Sequence, residues 1–304
     1  MRILLLGANG QVGHELLRVL RPLGELIPLA RQPLAGWPQS IAVDLTDSGA
    51  WADCWQRLAP RLIVNAAAWT AVDAAQADPV TAAVLNQQLP ASLGEYAAAS
   101  GARVVHLSTD YVFPGDAGEA YDEAASTGPQ SVYGQTKLAG EQALIESAAD
   151  TVIVRTSWVY SGRRHNFVRA MLSRMLRGEA LRVVDDQIGC PTWARDIADG
   201  IGWLLRQWPA ADEPRLYHLA GSDQASWHQF AAYIAASAEQ LGLLPGPATL
   251  TAIATRDYPT PAPRPAWSVL NSDLFARQFG YRAGGWSSVD ACLEELKEAR
   301  CWFP

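Results

Sequence analysis

Tyr133 and Lys137 stand four residues apart in "SVYGQTKLAGE" (131–141). On a helix that spacing sets both side chains on one face, one turn apart. A phenol titrates near ~10 and is a poor acid–base group at neutral pH. A lysine ammonium alongside favours the phenolate and is expected to lower that value. Such a tyrosine can hand a proton to a carbonyl oxygen as hydride arrives at the carbon. The lysine can also hold a nicotinamide ribose. A third group comes from "HLSTDYVFPG" (106–115), where Ser108, Thr109 and Asp110 close an apolar run. A hydroxyl there can hydrogen-bond a substrate carbonyl and stabilise developing negative charge, a role assigned to Thr109. A Tyr-x-x-x-Lys pair arises often on surface helices, so its weight depends on the elements that carry it.

Those elements alternate. "RILLLG" (2–7), "GELIPLA" (24–30), "RLIVNAA" (61–67), "ARVVHLS" (102–108) and "TVIVRTS" (151–157) are short and apolar throughout, as strands covered on both faces are. Between them, helical patterns run over 11–23, 47–59, 78–100 and 131–149. Strand and helix in turn predict an α/β, Rossmann-like, doubly wound parallel sheet. Thr109 and Asp110 then fall at a strand end, on the ligand side of the sheet.

The first strand runs into "GANGQVG", with Gly7, Gly10 and Gly13 three residues apart, and then into a helix. This context suits a dinucleotide: one glycine for the turn, one for close approach of the pyrophosphate, one for helix–strand packing. Free N–H groups and the helix dipole hold the phosphates. A glycine turn that binds nothing is the plainer alternative, and the spacing is GxxGxxG rather than GxGxxG. The second strand ends at Ala30-Arg31, without the carboxylate that binds the adenosine ribose in NAD enzymes. Arg31 is able to pair with a 2′-phosphate, favouring NADPH over NADH; an exposed loop arginine is an equal alternative. Asp44-Leu45 stand where the adenine should sit, and "NAAA" (65–68) would let a cofactor pass the strand ends.

After residue 157 the pattern changes. A helix is expected over 163–179, and 196–208 with "RLYHLAG" (215–221) returns to the sheet. The run "YPTPAPRP" (258–265) reads as extended loop. The expected organisation is a dinucleotide-binding domain over 1–156, joined by 194–219, and a smaller discontinuous substrate-binding lobe over 157–193 and 220–304. With 304 residues, 49% apolar and 18% charged, the chain is globular. Its net charge of −7 argues against a nucleic-acid partner. Cys54, Cys190, Cys292 and Cys301 form no CxxC pair, and the five histidines lack metal-ligand spacing. No apolar stretch approaches membrane-spanning length, so a cytoplasmic location is expected.

Glycine loop, Thr109, Tyr133 and Lys137, in this order, resemble the extended branch of the short-chain dehydrogenase/reductases. "NAAAWTAVDAAQ" (65–76), "STDYVFPG" (108–115), "VRTSWVYSGRRHNFV" (154–168), "DDQIGCPT" (185–192), "YHLAGS" (217–222) and "YPTPAPRPAWSVLN" (258–271) narrow this further. Together they resemble the dTDP-4-dehydrorhamnose reductases over nearly the whole chain. The resemblance implies NAD(P)H-dependent reduction of the 4-keto group of a dTDP-6-deoxy-hexulose to give dTDP-L-rhamnose. It makes Tyr133 the proton donor, with Lys137 binding the cofactor. Thr109 and Asp110 would contact the sugar, with Val72, Asp73 and Trp158 bordering its pocket and Asn166 the nucleotide-sugar. Gly7, Gly10, Gln11, Val12, Gly13 and Ala66–Ala68 would line the cofactor.

Two other readings stay open. A nucleotide-sugar epimerase or 4,6-dehydratase is one, although a dehydratase of this superfamily carries Thr-Asp-Glu where this chain has Thr109-Asp110-Tyr111. A non-catalytic NADP-binding regulatory subunit is the other. Some members of the family are metal-bridged dimers, so monomer and homodimer both stand. Glu15 and Glu294-Glu295 are the acidic candidates for Mg2+, with a plain surface role expected and no motif behind a metal.

Overall fold

Successive residues of the first strand enter opposite cores: Ile3 and Leu5 join one apolar cluster, Leu4 and Leu6 the other. This two-sided burial is what an all-parallel sheet requires. The computed structural model describes residues 1–51, 54–213 and 215–299. Its central sheet has seven strands: β1 (Arg2–Leu6), β2 (Glu25–Ala30), β3 (Ile41–Ala42), β4 (Leu62–Asn65), β5 (Arg103–Thr109), β6 (Asp150–Thr156) and β7 (Leu216–His218). All pair in parallel, in the spatial order β7-β6-β5-β4-β1-β2-β3. The order reverses between β1 and β4, which opens a crevice beyond their carboxyl ends.

Helix α1 (Gln11–Leu20) covers one face with α5 (Ala194–Arg206), and α2 (Leu89–Ser100) and α3 (Val132–Glu146) lie toward the other. Leu16 and Ile201 are fully buried at the α1–α5 contact, where truncating either to Ala costs about 2–5 kcal/mol. A separate core joins α4 (Phe167–Leu176), α6 (Trp227–Gln240) and α7 (Trp286–Ala299) through Val168, Leu172, Phe230, Ile234 and Leu293. Phe275 and Phe279, on the helix Asp273–Phe279, pack with the sheet instead.

Two expected helices differ. Within the 47–59 stretch, Ser48–Trp51 and Cys54–Leu58 are helical as expected, and residues 52–53 lie outside the described residues. The 78–100 stretch passes through a π-helical segment, Val84–Gln88, between Pro79–Ala83 and α2. There Asn86 takes Trp69 N–H on Oδ1 at 2.8 Å and gives Nδ2 hydrogens to Trp69 O and Thr136 Oγ1, at 3.2 and 3.1 Å. The 163–179 helix starts only at Phe167, because Asn166 caps it. Residues 258–265 form no helix or strand, as expected of that proline run. Cys54, Cys190 and Cys292 are buried free thiols, and Cys301 lies outside the described residues.

Candidate active site

The glycine loop lies between the ends of β1 and β4. Gly7 sits at φ +73°, and a Cβ there would come within 2.8 Å of the Ala66 and Ala67 backbone. A Cβ on Gly13 would stand 2.1 Å from Gly7 O, so this glycine lets α1 close onto the strand end. Helix α1 begins at Gly10 with no side-chain cap and no acidic residue in its first turn. Its first N–H groups are thus left for an anion, which fits a dinucleotide phosphate. A cleft of about 590 Å³ beside the loop is lined by Asn9, Gly10, His14, Arg163 and Arg164 among others. Arg164 Nε donates to Asn9 O at 2.7 Å. Gln11 reaches the second lobe, with Nε2 donating to Val159 O at 3.3 Å and Oε1 accepting from Ser161 Oγ at 2.8 Å. Val12 is turned into the core, which leaves only its backbone to the loop.

On the adenosine side, Arg31 is exposed just past β2. Asp44 closes its own turn, accepting from Thr46 N at 2.9 Å and Thr46 Oγ1 at 2.7 Å. Those bonds, with the Arg31 charge as a smaller contribution, hold its carboxyl below the usual range. Leu45 is buried and offers its carbonyl to Trp51 Nε1 rather than a side chain to a ligand. Ala66, Ala67 and Ala68 are half-buried at the end of β4.

Thr109, Asp110, Tyr133 and Lys137 come together where β5 ends against α3. Thr109 Oγ1 donates to Asp110 Oδ1 at 3.0 Å and caps the following turn by accepting from Tyr111 N at 3.2 Å. Burial pushes the Asp110 carboxyl up to about 6, against hydrogen bonds from Ser268 and Thr109, and its Oδ2 is buried without a partner. Burial likewise pushes the Tyr133 phenol up to about 12; the Thr109 hydrogen bond opposes this and the Asp110 charge adds to it. The expected lowering by Lys137 is therefore not what the structure has. Lys137 Nζ turns from the phenol toward β5, donating to Leu107 O at 2.6 Å and meeting His106 Nε2 at 3.2 Å. Tyr133 packs instead with Tyr111, edge to face at 5.5 Å.

On the expected sugar side, Val72 packs with Tyr133. Asp73 is engaged by the proline-rich loop, with Arg264 Nη2 at 2.8 Å from Oδ2 and Ala262 N donating to Oδ1 at 3.1 Å. Burial works against the Asp73 carboxylate, but these two hydrogen bonds hold it below its ordinary value. Trp158 sits at φ +43°, a left-handed conformation costing about 1–3 kcal/mol in a non-glycine residue. Its ring stacks on Trp227 at 3.5 Å, and a Cβ on Gly189 would come within 2.4 Å of it. Trp227 thus occupies an indole face that sequence alone leaves for a sugar. Asn166 is spent locally: Oδ1 accepts from Arg169 N at 3.2 Å, and Nδ2 donates to Ser161 O at 2.8 Å and Arg163 O at 3.0 Å.

Two of the three acidic candidates, Glu15 and Glu295, are engaged by an arginine. Arg195 inserts between Glu15 and Glu295, its Nε at 3.2 Å from Glu15 Oε2 and its Nη2 on Glu295 Oε1. Its positive charge partly balances the two carboxylates it pairs with. Among the described residues, no group of three His, Cys, Asp or Glu side chains is placed to hold a metal. Local spacing misses several participants. Arg264 lies in the proline run 258–265, whose composition predicts an extended loop but not the partner of this side chain. His106 and Asn65 read only as strand residues, although two polar groups within apolar strands are themselves a signal.

A family model described as RmlD substrate binding domain matches residues 1–298. The chain is similar to the dTDP-4-dehydrorhamnose reductase of Shigella flexneri, 41% identical over 300 residues that cover 97% of this chain and 98% of that protein. It is similar in structure to the Clostridium acetobutylicum dTDP-4-dehydrorhamnose reductase, with a TM-score of 0.85 and 32% identity, covering 98% of this chain and 100% of that one. The Bacillus anthracis dTDP-4-dehydrorhamnose reductase, solved in complex with NADP, gives a TM-score of 0.84 and 30% identity over 98% of this chain and 99% of that one. With a parallel sheet, an uncapped glycine loop and a Thr-Tyr-Lys group in one crevice, the chain belongs to the dTDP-4-dehydrorhamnose reductase family.

Proposed function

We propose that this chain reduces the 4-keto group of dTDP-4-dehydro-6-deoxy-L-mannose with NAD(P)H, giving dTDP-L-rhamnose. The observation that carries the reading is the Tyr133 phenol beside Thr109 at the end of β5, in the crevice that the glycine loop opens. When bound, the reduced nicotinamide supplies the hydride. The chain's own groups do the rest. Glycine-loop N–H groups at the start of α1 hold the pyrophosphate, with Arg31 toward the adenosine end. With its pKa pushed up to about 12, Tyr133 is protonated at neutral pH and has a proton to give to the nascent C4 alkoxide. Thr109 orients the carbonyl oxygen; its proton rests on Asp110 Oδ1 in the free chain and is redirected when a substrate oxygen arrives. Lys137 turns out to the nicotinamide ribose. The lobe over 157–193 and 220–304 holds the nucleotide-sugar, with Asp73, Asp110 and what Trp227 leaves of Trp158 bordering the sugar.

Elimination is disfavoured by Tyr111. A dehydratase needs a carboxylate there, whereas burial and the Asp110 charge raise the Tyr111 phenol far out of the range of a useful base. A cytoplasmic location suits the buried thiols, and no helix among the described residues is long and apolar enough to cross a membrane. The test is an assay of the purified chain with dTDP-4-keto-6-deoxyglucose, a 3,5-epimerase and either coenzyme. Coenzyme oxidation with dTDP-rhamnose as product supports the reading. Coenzyme binding without turnover would favour a regulatory subunit.

A further inference from the structure

Lys137 is 1% exposed, and among the described residues no carboxylate forms an ion pair with it in its inward position. The titratable groups around it are His106 on β5 and Glu141 on α3. Glu141 is consumed by Arg155 on β6, which donates to both its oxygens at 2.9 and 2.6 Å. Burying a lysine ammonium without a carboxylate is costly, and the amine form relieves that cost.

The hydrogen-bond inventory leads to the same place. Ala67 N–H can only donate, and it donates to Asn65 Oδ1 at 3.1 Å. That orients the amide, so Asn65 Nδ2 faces His106 Nδ1 at 3.0 Å and must donate to it. His106 Nδ1 is then an acceptor, and the hydrogen of this neutral imidazole sits on Nε2. Burial lowers the His106 pKa well below its usual value, so the ring does not carry a second proton. Nε2–H in turn points at Lys137 Nζ, 3.2 Å away. An ammonium has three donors and no lone pair, so it would set donor against donor. A neutral amine accepts from His106 and still donates to Leu107 O at 2.6 Å.

We propose that the inward seat between His106 and Leu107 admits Lys137 only as the neutral amine, and that dinucleotide binding draws a proton from solvent onto Nζ and so turns the side chain out to the crevice. His106 is a positioning residue in this account: its tautomer, set by Asn65, decides which protonation state may stay inside. The proton passes from the buffer's conjugate acid, through solvent, to the Nζ lone pair: the acid's bond to it breaks, the N–H bond forms, and the buffer base is left in solution. The phosphates of an arriving dinucleotide favour the charged form. Burial, with Glu141 opposing, brings Lys137 down to about 8, so the seat fills as pH rises into the mildly alkaline range.

The proposal rests on the coenzyme site described above, and its test separates the two. NADH is titrated into the free chain by calorimetry at about pH 7 to 9.5, in paired buffers of different ionisation enthalpy. Buffer dependence reports protons taken up per coenzyme bound. The expected result is uptake growing above about pH 8 toward one proton per site. Asn65→Asp accepts from His106 Nδ1–H and leaves Nε2 free to accept from an ammonium, so its uptake at about pH 9 should fall to less than half. Binding heats independent of buffer across the range would overturn the proposal while leaving the coenzyme site intact. Absence of any binding heat would overturn both. If Asn65→Asp does not fold, the wild-type proton count decides alone.

Discussion

Arg264 and Asp73 pair at 2.8 Å although they lie 191 residues apart, and so fasten the proline-rich loop to the helix Val72–Ala77 beside Tyr133. The pair is partly solvated, so its contribution to stability is under about 1 kcal/mol. Its effect belongs to the shape of the crevice. Arg264→Ala should raise KM for the nucleotide-sugar about tenfold, ~1.4 kcal/mol, with coenzyme Kd unchanged. Asp73 has a depressed carboxyl pKa. Its bond to Arg264 is therefore complete above the ordinary carboxylate range near ~3.9 and is lost as pH falls through its lower folded value. An Arg264→Ala enzyme with wild-type KM would remove the clamp from substrate binding.

Asp110 trades stability for function. Its folded pKa of about 6 lies above the unfolded value near ~3.9, so the folded chain binds more protons between them. Its contribution to stability therefore falls as pH rises from about 4 to about 6, and the cost is full at neutral pH. Asp110→Asn should stabilise the protein by about 1–3 kcal/mol at pH 7, and by nothing below about pH 4. The same variant should lower kcat/KM more than about tenfold, because a neutral amide is a weaker acceptor for a sugar hydroxyl. Thermal unfolding at the two pH values checks the first half, and a Tm that drops at pH 7 would contradict it.

Arg31 follows β2 with no carboxylate at the strand end, and Asp44 nearby is already spent on Thr46. NADPH should therefore bind at least as well as NADH. Arg31→Ala should weaken NADPH about tenfold and leave NADH unchanged. Coenzyme Kd values by fluorescence titration decide it; a wild type that clearly prefers NADH would sink the assignment.

Arg195 pairs with both Glu15 and Glu295 and supplies a positive charge between them. Turnover after exhaustive chelation with EDTA should match the untreated enzyme, and added Mg2+ should not shift the Tm. Arg195→Ala leaves two carboxylates facing each other and should cost about 1–3 kcal/mol in thermal or urea unfolding. Loss of activity on chelation, restored by Mg2+, would contradict this.

Much of this was legible in the chain itself. Short apolar runs announced strands buried on both faces, and Gly7 and Gly13 stood where the backbone crowds. Thr109, Tyr133 and Lys137 are legible as candidates because strand ends and helix spacing are local properties. What stayed hidden depends on distant partners or on direction. The Asp73–Arg264 pair has no local signature. The i, i+4 spacing set Tyr133 and Lys137 on one helix face, but it does not say that Nζ bends to Leu107 O and His106. The sequence offers Trp158 as an aromatic for the expected sugar pocket, whereas its stacking on Trp227 requires a helix some 70 residues later to fold against it. Within the π-helical turn at Val84–Gln88, Asn86 bonds Trp69 and Thr136, partners that helix periodicity does not register.

The central claim is that Tyr133 delivers the proton in a keto-sugar reduction. Tyr133→Phe removes one hydroxyl and leaves the glycine loop untouched. The decisive measurement is coenzyme oxidation by wild type and Tyr133→Phe, with the epimerised dTDP-4-keto-6-deoxy sugar as substrate and coenzyme Kd determined in parallel. The account predicts one NADPH oxidised per dTDP-rhamnose formed by the wild type. It predicts a kcat about 10²–10⁴-fold lower in the variant, with Kd nearly unchanged. A variant that keeps most of its turnover, or a wild type that binds coenzyme and substrate without oxidising either coenzyme, would contradict it.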